Sequence, residues 1–214
     1  MICSRRAFIN KTSSFATGLL GLQAISAVGK NSQEHPGYGK LLKDKSGILD
    51  LPKNFSYKII GRSGEKMTDG FFLPGKPDGM AAFQGINKNE VVLIRNHEID
   101  PNASFSTGPF GKRNEMIKNL PEENIYDRGK NSPCMGGTTT VVYNVRIQKV
   151  VRQFLSLTGT LRNCAGGPTP WDTWISCEET VVSSGGSCSQ DHGWCFEVPV
   201  SEKPLLAKPV PLKA

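Results

Sequence analysis

Short runs of β-branched and aromatic residues, each cut off after a few positions by glycine, proline or asparagine, restrict this chain to an all-β fold. Residues 55–61 (FSYKIIG), 90–96 (EVVLIRN), 138–145 (TTTVVYNV), 149–157 (KVVRQFLSL), 173–177 (TWISC) and 194–200 (WCFEVPV) form these runs. Such side chains fit a pleated, half-buried surface. The clusters PGKPDG and GINKN between them end strands and turn the chain. Only residues 115–124 (EMIKNLPEEN) read as a helical turn, and Pro121 truncates it. Residues 138–157 read as a long hairpin, although no glycine or proline between Asn144 and Gln148 encodes its turn. Strands this short close as a sandwich, a barrel or propeller blades, and no repeat of fixed period separates these options.

The N-terminus carries a different signal. SRRAFIN, then the glycine-diluted apolar run FATGLLGLQAISA, has the order of a secretory peptide over residues 1–27. The paired Arg5 and Arg6 point to the bacterial twin-arginine route, and so to a periplasmic or secreted protein. That route carries folded proteins, often with a cofactor already loaded. Residues 28–54 are polar and read as an extended leader into the fold. Of the net charge of +7, Arg5, Arg6 and Lys11 supply three, and the remaining cations are scattered. Without a basic stripe, nucleic acid is not an expected partner. No apolar stretch is long enough for a membrane-spanning helix.

Cys3 departs with the signal, leaving Cys134, Cys164, Cys177, Cys188 and Cys195. Disulfides are allowed in an oxidising compartment, and Cys188 and Cys195 are near enough in sequence to close a small loop. With an odd number, at least one thiol stays unpaired in the monomer, buried or held by a metal.

The densest chemistry lies in residues 162–180, RNCAGGPTPWDTWISCEET. Pro168 and Pro170 stiffen a turn, and Gly166 and Gly167 allow close backbone approach. Cys164 stands before this turn and Glu178 and Glu179 end the strand that returns from it, so thiol and carboxylates can converge. Adjacent side chains on a strand face opposite ways, so both glutamates reach one site only if the strand ends or bulges there. Two close carboxylates repel unless a cation lies between them. A thiolate with carboxylates suits iron, and the oxygen ligands suit calcium. Trp171 and Trp174 read as packing and Cys177 as a small buried hydrophobe.

Asn96, His97 and Glu98 end a strongly apolar strand in LIRNHEID, a place where a rigid scaffold presents polar groups. Asp191, His192 and Glu197 fall in DHGWCFE. Cys188, His192 and Cys195 are zinc-type donors without a regular fourth ligand. No Gly-x-Ser-x-Gly elbow is present, so serine-nucleophile chemistry has no support.

With these residues placed, the chain resembles the PhoX-type alkaline phosphatases, secreted bacterial metalloenzymes. The matching segments include YGKLLKDKSGILDLPKNFSYKIIGRSGEKMTDG, PGKPDGMAAF, LIRNHE, GGTTTVVY, FLSLTGTLRNCAGGPTPW, WISCEET and HGWCFEV. The resemblance implies a six-bladed β-propeller with its site on the central axis, and a cofactor cluster of iron and calcium. It implies Cys164 as the thiolate on ferric iron, Glu178 and Glu179 as carboxylate ligands, and Glu179 as the one bonding both metals. Glu98 and Glu197 would be calcium-side ligands. The implied reaction is hydrolysis of small phosphate monoesters by a monomer with no stable membrane association. Family members are longer than this chain, so residues 55–214 are expected to be the N-terminal part of an incomplete propeller, inactive alone unless a missing C-terminal portion completes it. The alternatives are a calcium-dependent propeller hydrolase of lactonase type and a non-enzymatic secreted binding propeller.

Overall fold

The computed structural model describes residues 37–212; the expected signal peptide, residues 1–27, lies outside them, as does the start of the leader. The chain divides into two units, one up to Lys58 and one from Ile59. In the first, β1 (Leu41–Leu42) and β2 (Leu51–Pro52) pair antiparallel. Asp44 ties the connection between them, accepting hydrogen bonds from the backbone N–H of Ser46, Ile48 and Leu49 and from the Tyr57 hydroxyl. The Ile48 N–H, then the Tyr57 hydroxyl, hold its carboxyl down to about 2. The strand expected at residues 55–61 is absent. Phe55, Tyr57 and Ile59 are exposed there, and β-type composition makes no strand where no partner supplies a ladder.

The second unit holds two four-stranded antiparallel sheets whose strands follow chain order, and no sheet closes on itself. One comprises β3 (Pro77–Gln84), β4 (Glu90–His97), β5 (Gly136–Asn144) and β6 (Lys149–Thr160). The other comprises β7 (Asn163–Pro168), β8 (Thr173–Glu178), β9 (Cys195–Pro199) and β10 (Pro211–Leu212). The all-β expectation holds: among the described residues there is no α-helix, and none long and apolar enough to cross a membrane. The expected helical turn is two 3₁₀ turns, Glu115–Asn119 and Glu122–Asn124, with Pro121 at the start of the second.

Alternation along the strands builds the core. Val92 and Ile94 of β4 join Phe83 and Leu157 on one side and Trp174, Phe196 and Val198 of the other sheet on the second. Each such side chain, removed from water, contributes about 1.5–3 kcal/mol. A separate cluster of Met67, Leu73, Ile99, Phe110, Met135 and Leu155 seats the connections between strands. The β5–β6 turn finds its code in a side chain: the Asn144 Oδ1 accepts from the N–H of Arg146 and of Ile147, both at 3.1 Å, and Gln148 takes φ of 53°.

Two strands contradict their composition. The expected turns PGKPDG and GGPTPW overlap β3 at PDG and β7 at GGP, and both are edge strands, where proline and glycine are tolerated. Each carries a β-bulge, between Pro77 and Met80 and between Asn163 and Gly166.

Cys195 does not face Cys188. It stands directly opposite Cys177 across β8 and β9, with the sulfurs 2.8 Å apart. The next ladder bond, Glu178 N–H to Trp194 O, makes the cysteines a non-hydrogen-bonded pair, whose Cα separation of about 4.5 Å lies within disulfide range. Incubating the protein with glutathione disulfide is expected to transfer the two thiol electrons to it and link Cys177 to Cys195. Non-reducing peptide mapping checks this; a Cys188–Cys195 peptide would contradict it.

Candidate metal centre

The two bulges face each other. In β3 the extra residue falls at Asp78–Gly79, and in β7 at Cys164–Ala165. A Cβ added to Gly79 would come within 2.5 Å of the Cys164 carbonyl oxygen, so only glycine lets the two edges approach this closely. Bulges re-aim side chains near functional sites. Here they bring the Cys164 backbone against β3, with the Asp78 carboxylate near enough to act on the thiol.

Asn96 fixes this juxtaposition from beneath. Fully buried at the end of β4, its Nδ2 donates to the Cys164 carbonyl at 2.9 Å and the Ala165 carbonyl at 3.0 Å. Its Oδ1 accepts from Trp174 Nε1 at 2.9 Å and Ser176 Oγ at 2.8 Å. One amide thus ties the first sheet to β7 and β8, and every one of its polar atoms is used. His97, next to it, is a packing residue. It lies between the Gly75 carbonyl and the Thr139 hydroxyl, each at 2.8 Å, and burial pushes its pKa down to about 3. The Nδ1 proton goes to the carbonyl, and the neutral Nε2 accepts from Thr139.

Past the strand ends, Glu98 follows β4 and Glu179 follows β8. The Glu98 N–H donates to the Lys76 carbonyl and the Glu179 N–H to the Arg162 carbonyl, both at 2.8 Å. Desolvation first, then the charges of Asp78, Glu179 and Glu98, raise the pKa of the Cys164 thiol. Beside them the Arg162 guanidinium sits 3.1 Å from Asp100 and 3.9 Å from Glu98, while Lys76 pairs with Asp100. Of the expected ligands, Cys164, Glu98 and Glu179 are therefore brought into one electrostatic neighbourhood, joined by Asp78, which the PDG turn signal concealed.

Glu178 and Glu197 lie elsewhere. Strand alternation puts Glu178 on the buried face of β8, opposite in sense to Cys177. Its Oε1 accepts from the Leu161 N–H and bonds His192 Nδ1, and its Oε2 accepts from the N–H of Gly193 and Trp194. Glu197 accepts from Trp171 Nε1 at 2.6 Å and from the Thr173 hydroxyl at 2.7 Å, which hold its carboxyl below the usual range. Trp171 is exposed and pinned by this bond, whereas Trp174 is buried core.

One thiol and three carboxylates are donor types that a multivalent cation accepts. A half-buried thiol among three carboxylates gathers like charge, which disfavours the thiolate; a multivalent cation reverses that cost and accepts both sulfur and oxygen.

The family model for alkaline phosphatase PhoX matches residues 36–214. No curated protein and no solved structure matches the chain. Because the match takes in both sheets and every residue of the Cys164 cluster, the chain belongs to the PhoX alkaline phosphatase family.

Proposed function

We propose that this chain supplies part of a metal-dependent centre that hydrolyses small phosphate monoesters, with Cys164 on iron and Glu98, Glu179 and Asp78 as oxygen ligands shared between iron and calcium. The observation that carries this is the pairing of the β3 and β7 bulges, which sets a thiol within the field of three carboxylates. When bound, the metals clamp the phosphate and stabilise the charge that develops on it.

The chain's own residues prepare the place. Asn96 sets the Cys164 backbone, and Gly79 lets the two edges close. Arg162 neutralises Asp100 and Glu98 and keeps a cation at the rim, where a phosphate dianion would approach. The two ordered meanders, with first strands β3 and β7 against each other, suit neighbouring propeller blades whose inner strands face an axis. A six-bladed propeller is the architecture proposed for the whole domain, and the periplasm or the medium its location.

The test is to purify the full chain, load it with iron and calcium, and measure bound metal and hydrolysis of p-nitrophenyl phosphate. Stoichiometric iron that a chelator removes is expected, and any turnover should be lost with it. A chain that binds neither metal overturns the reading. Turnover that persists after both are stripped does so too.

A further inference from the structure

The second cluster of metal-type donors lies on the far side of Glu178, in the two long connections that precede β5 and β9. Asp127, Cys134, Cys188 and His192 each offer one ligand atom there, and the four atoms lie within 4.8 Å of one another. All four residues are buried, at 0%, 4%, 2% and 3% exposure. We infer that these side chains form a structural zinc site that staples the 125–135 connection to the 179–194 connection.

The spacing of the four donor atoms is close to what an ion needs. Around tetrahedral zinc, ligand atoms stand about 3.3–3.8 Å apart, given the usual bond lengths to nitrogen, oxygen and sulfur. Here His192 Nε2 is 3.1 Å from Asp127 Oδ2 and 3.8 Å from Cys134 Sγ. Two thiolates, an imidazole and a carboxylate are zinc's ordinary donors.

The surroundings match a zinc site as well. Metal-bound histidines donate their other ring N–H to a carboxylate, which fixes the tautomer and the ring. The His192 Nδ1 meets Glu178 Oε1 at 2.7 Å, and Glu178 is itself held by three backbone N–H groups. Asp127 is oriented in the same way by the N–H of Gly129, Ser189 and Gln190. On zinc binding, the protons of the Cys134 and Cys188 thiols and of His192 Nε2 leave to solvent, His192 keeps its proton on Nδ1, and Nε2 supplies its lone pair.

The site also differs from the Cys177–Cys195 pair. Those sulfurs touch at 2.8 Å with no imidazole or carboxylate between them, whereas Cys134 and Cys188 converge with His192 and Asp127. It is separate from the Cys164 centre and stands or falls independently of the proposed hydrolysis.

Elemental analysis of the purified full chain is expected to give one zinc per chain, with Cys134 and Cys188 shielded from iodoacetamide until a strong chelator is added. Replacing zinc with cobalt(II) is expected to give the visible bands of a tetrahedral ion and a thiolate charge-transfer band. Cys188→Ser should bind zinc at least tenfold more weakly while leaving iron at the Cys164 centre unchanged. If that variant does not fold, the wild-type zinc, alkylation and cobalt readings decide alone. Zinc below one tenth per chain, thiols alkylated without chelator, or a Cys134–Cys188 disulfide in peptide mapping would each overturn the inference.

Discussion

Cys164→Ser is expected to lower iron affinity at least about 100-fold, since even partners one bond removed from a metal cost 10–100-fold. Hydrolysis of p-nitrophenyl phosphate by the metal-loaded chain should fall with it. Serine is close in volume, and the Asn96 amide holds position 164 through its carbonyl, not its side chain, so the fold is expected to survive. Thermal unfolding within a few degrees of wild type, combined with lost iron, separates this from a packing role. An unchanged iron content in the serine variant would favour a calcium-only propeller hydrolase, which needs no thiolate.

The second large effect falls on the neighbouring glutamates and splits them. Glu178→Ala removes a buried carboxylate that satisfies three backbone N–H groups and the His192 ring. Leaving these donors unpaired in a site closed to water is expected to cost about 3–5 kcal/mol. For a domain of this size that lowers the midpoint of thermal unfolding by roughly 10 °C. Glu179→Ala removes an exposed side chain and should change stability by less than about 0.5 kcal/mol. It should instead weaken metal binding at the Cys164 centre. Paired denaturation curves and metal titrations of the two variants check the split, and equal stability losses would contradict it.

The division between these glutamates shows where sequence reasoning reaches and where it stops. Strand alternation already separated positions 178 and 179 onto opposite faces; which face was buried depended on the sheet packed against β8, and on His192, fourteen residues on. The strands β4, β5, β6, β8 and β9 were legible because β-branched and aromatic residues run through them. β3 and β7 were not, since edge strands with bulges carry the proline and glycine that ordinarily mark turns. The same blind spot hid Asp78 of the proposed centre, because the β3 bulge meets its β7 counterpart only in the folded chain. Cys164 and Glu98 of the proposed centre were singled out in sequence by the stiff turn and by the strand end. The zinc-type donors of residues 188–195 were visible too, but Cys195 turned to Cys177, and the completing Cys134 and Asp127 come from a segment more than fifty residues earlier. No local spacing announces such a pair.

Absorption spectroscopy at the iron edge tests the central claim most directly. With the full chain loaded with iron, the account predicts a sulfur atom among the nearest neighbours of the metal, present in wild type and absent in Cys164→Ser. Iron surrounded by oxygen and nitrogen alone, with the same spectrum in both proteins, would contradict it.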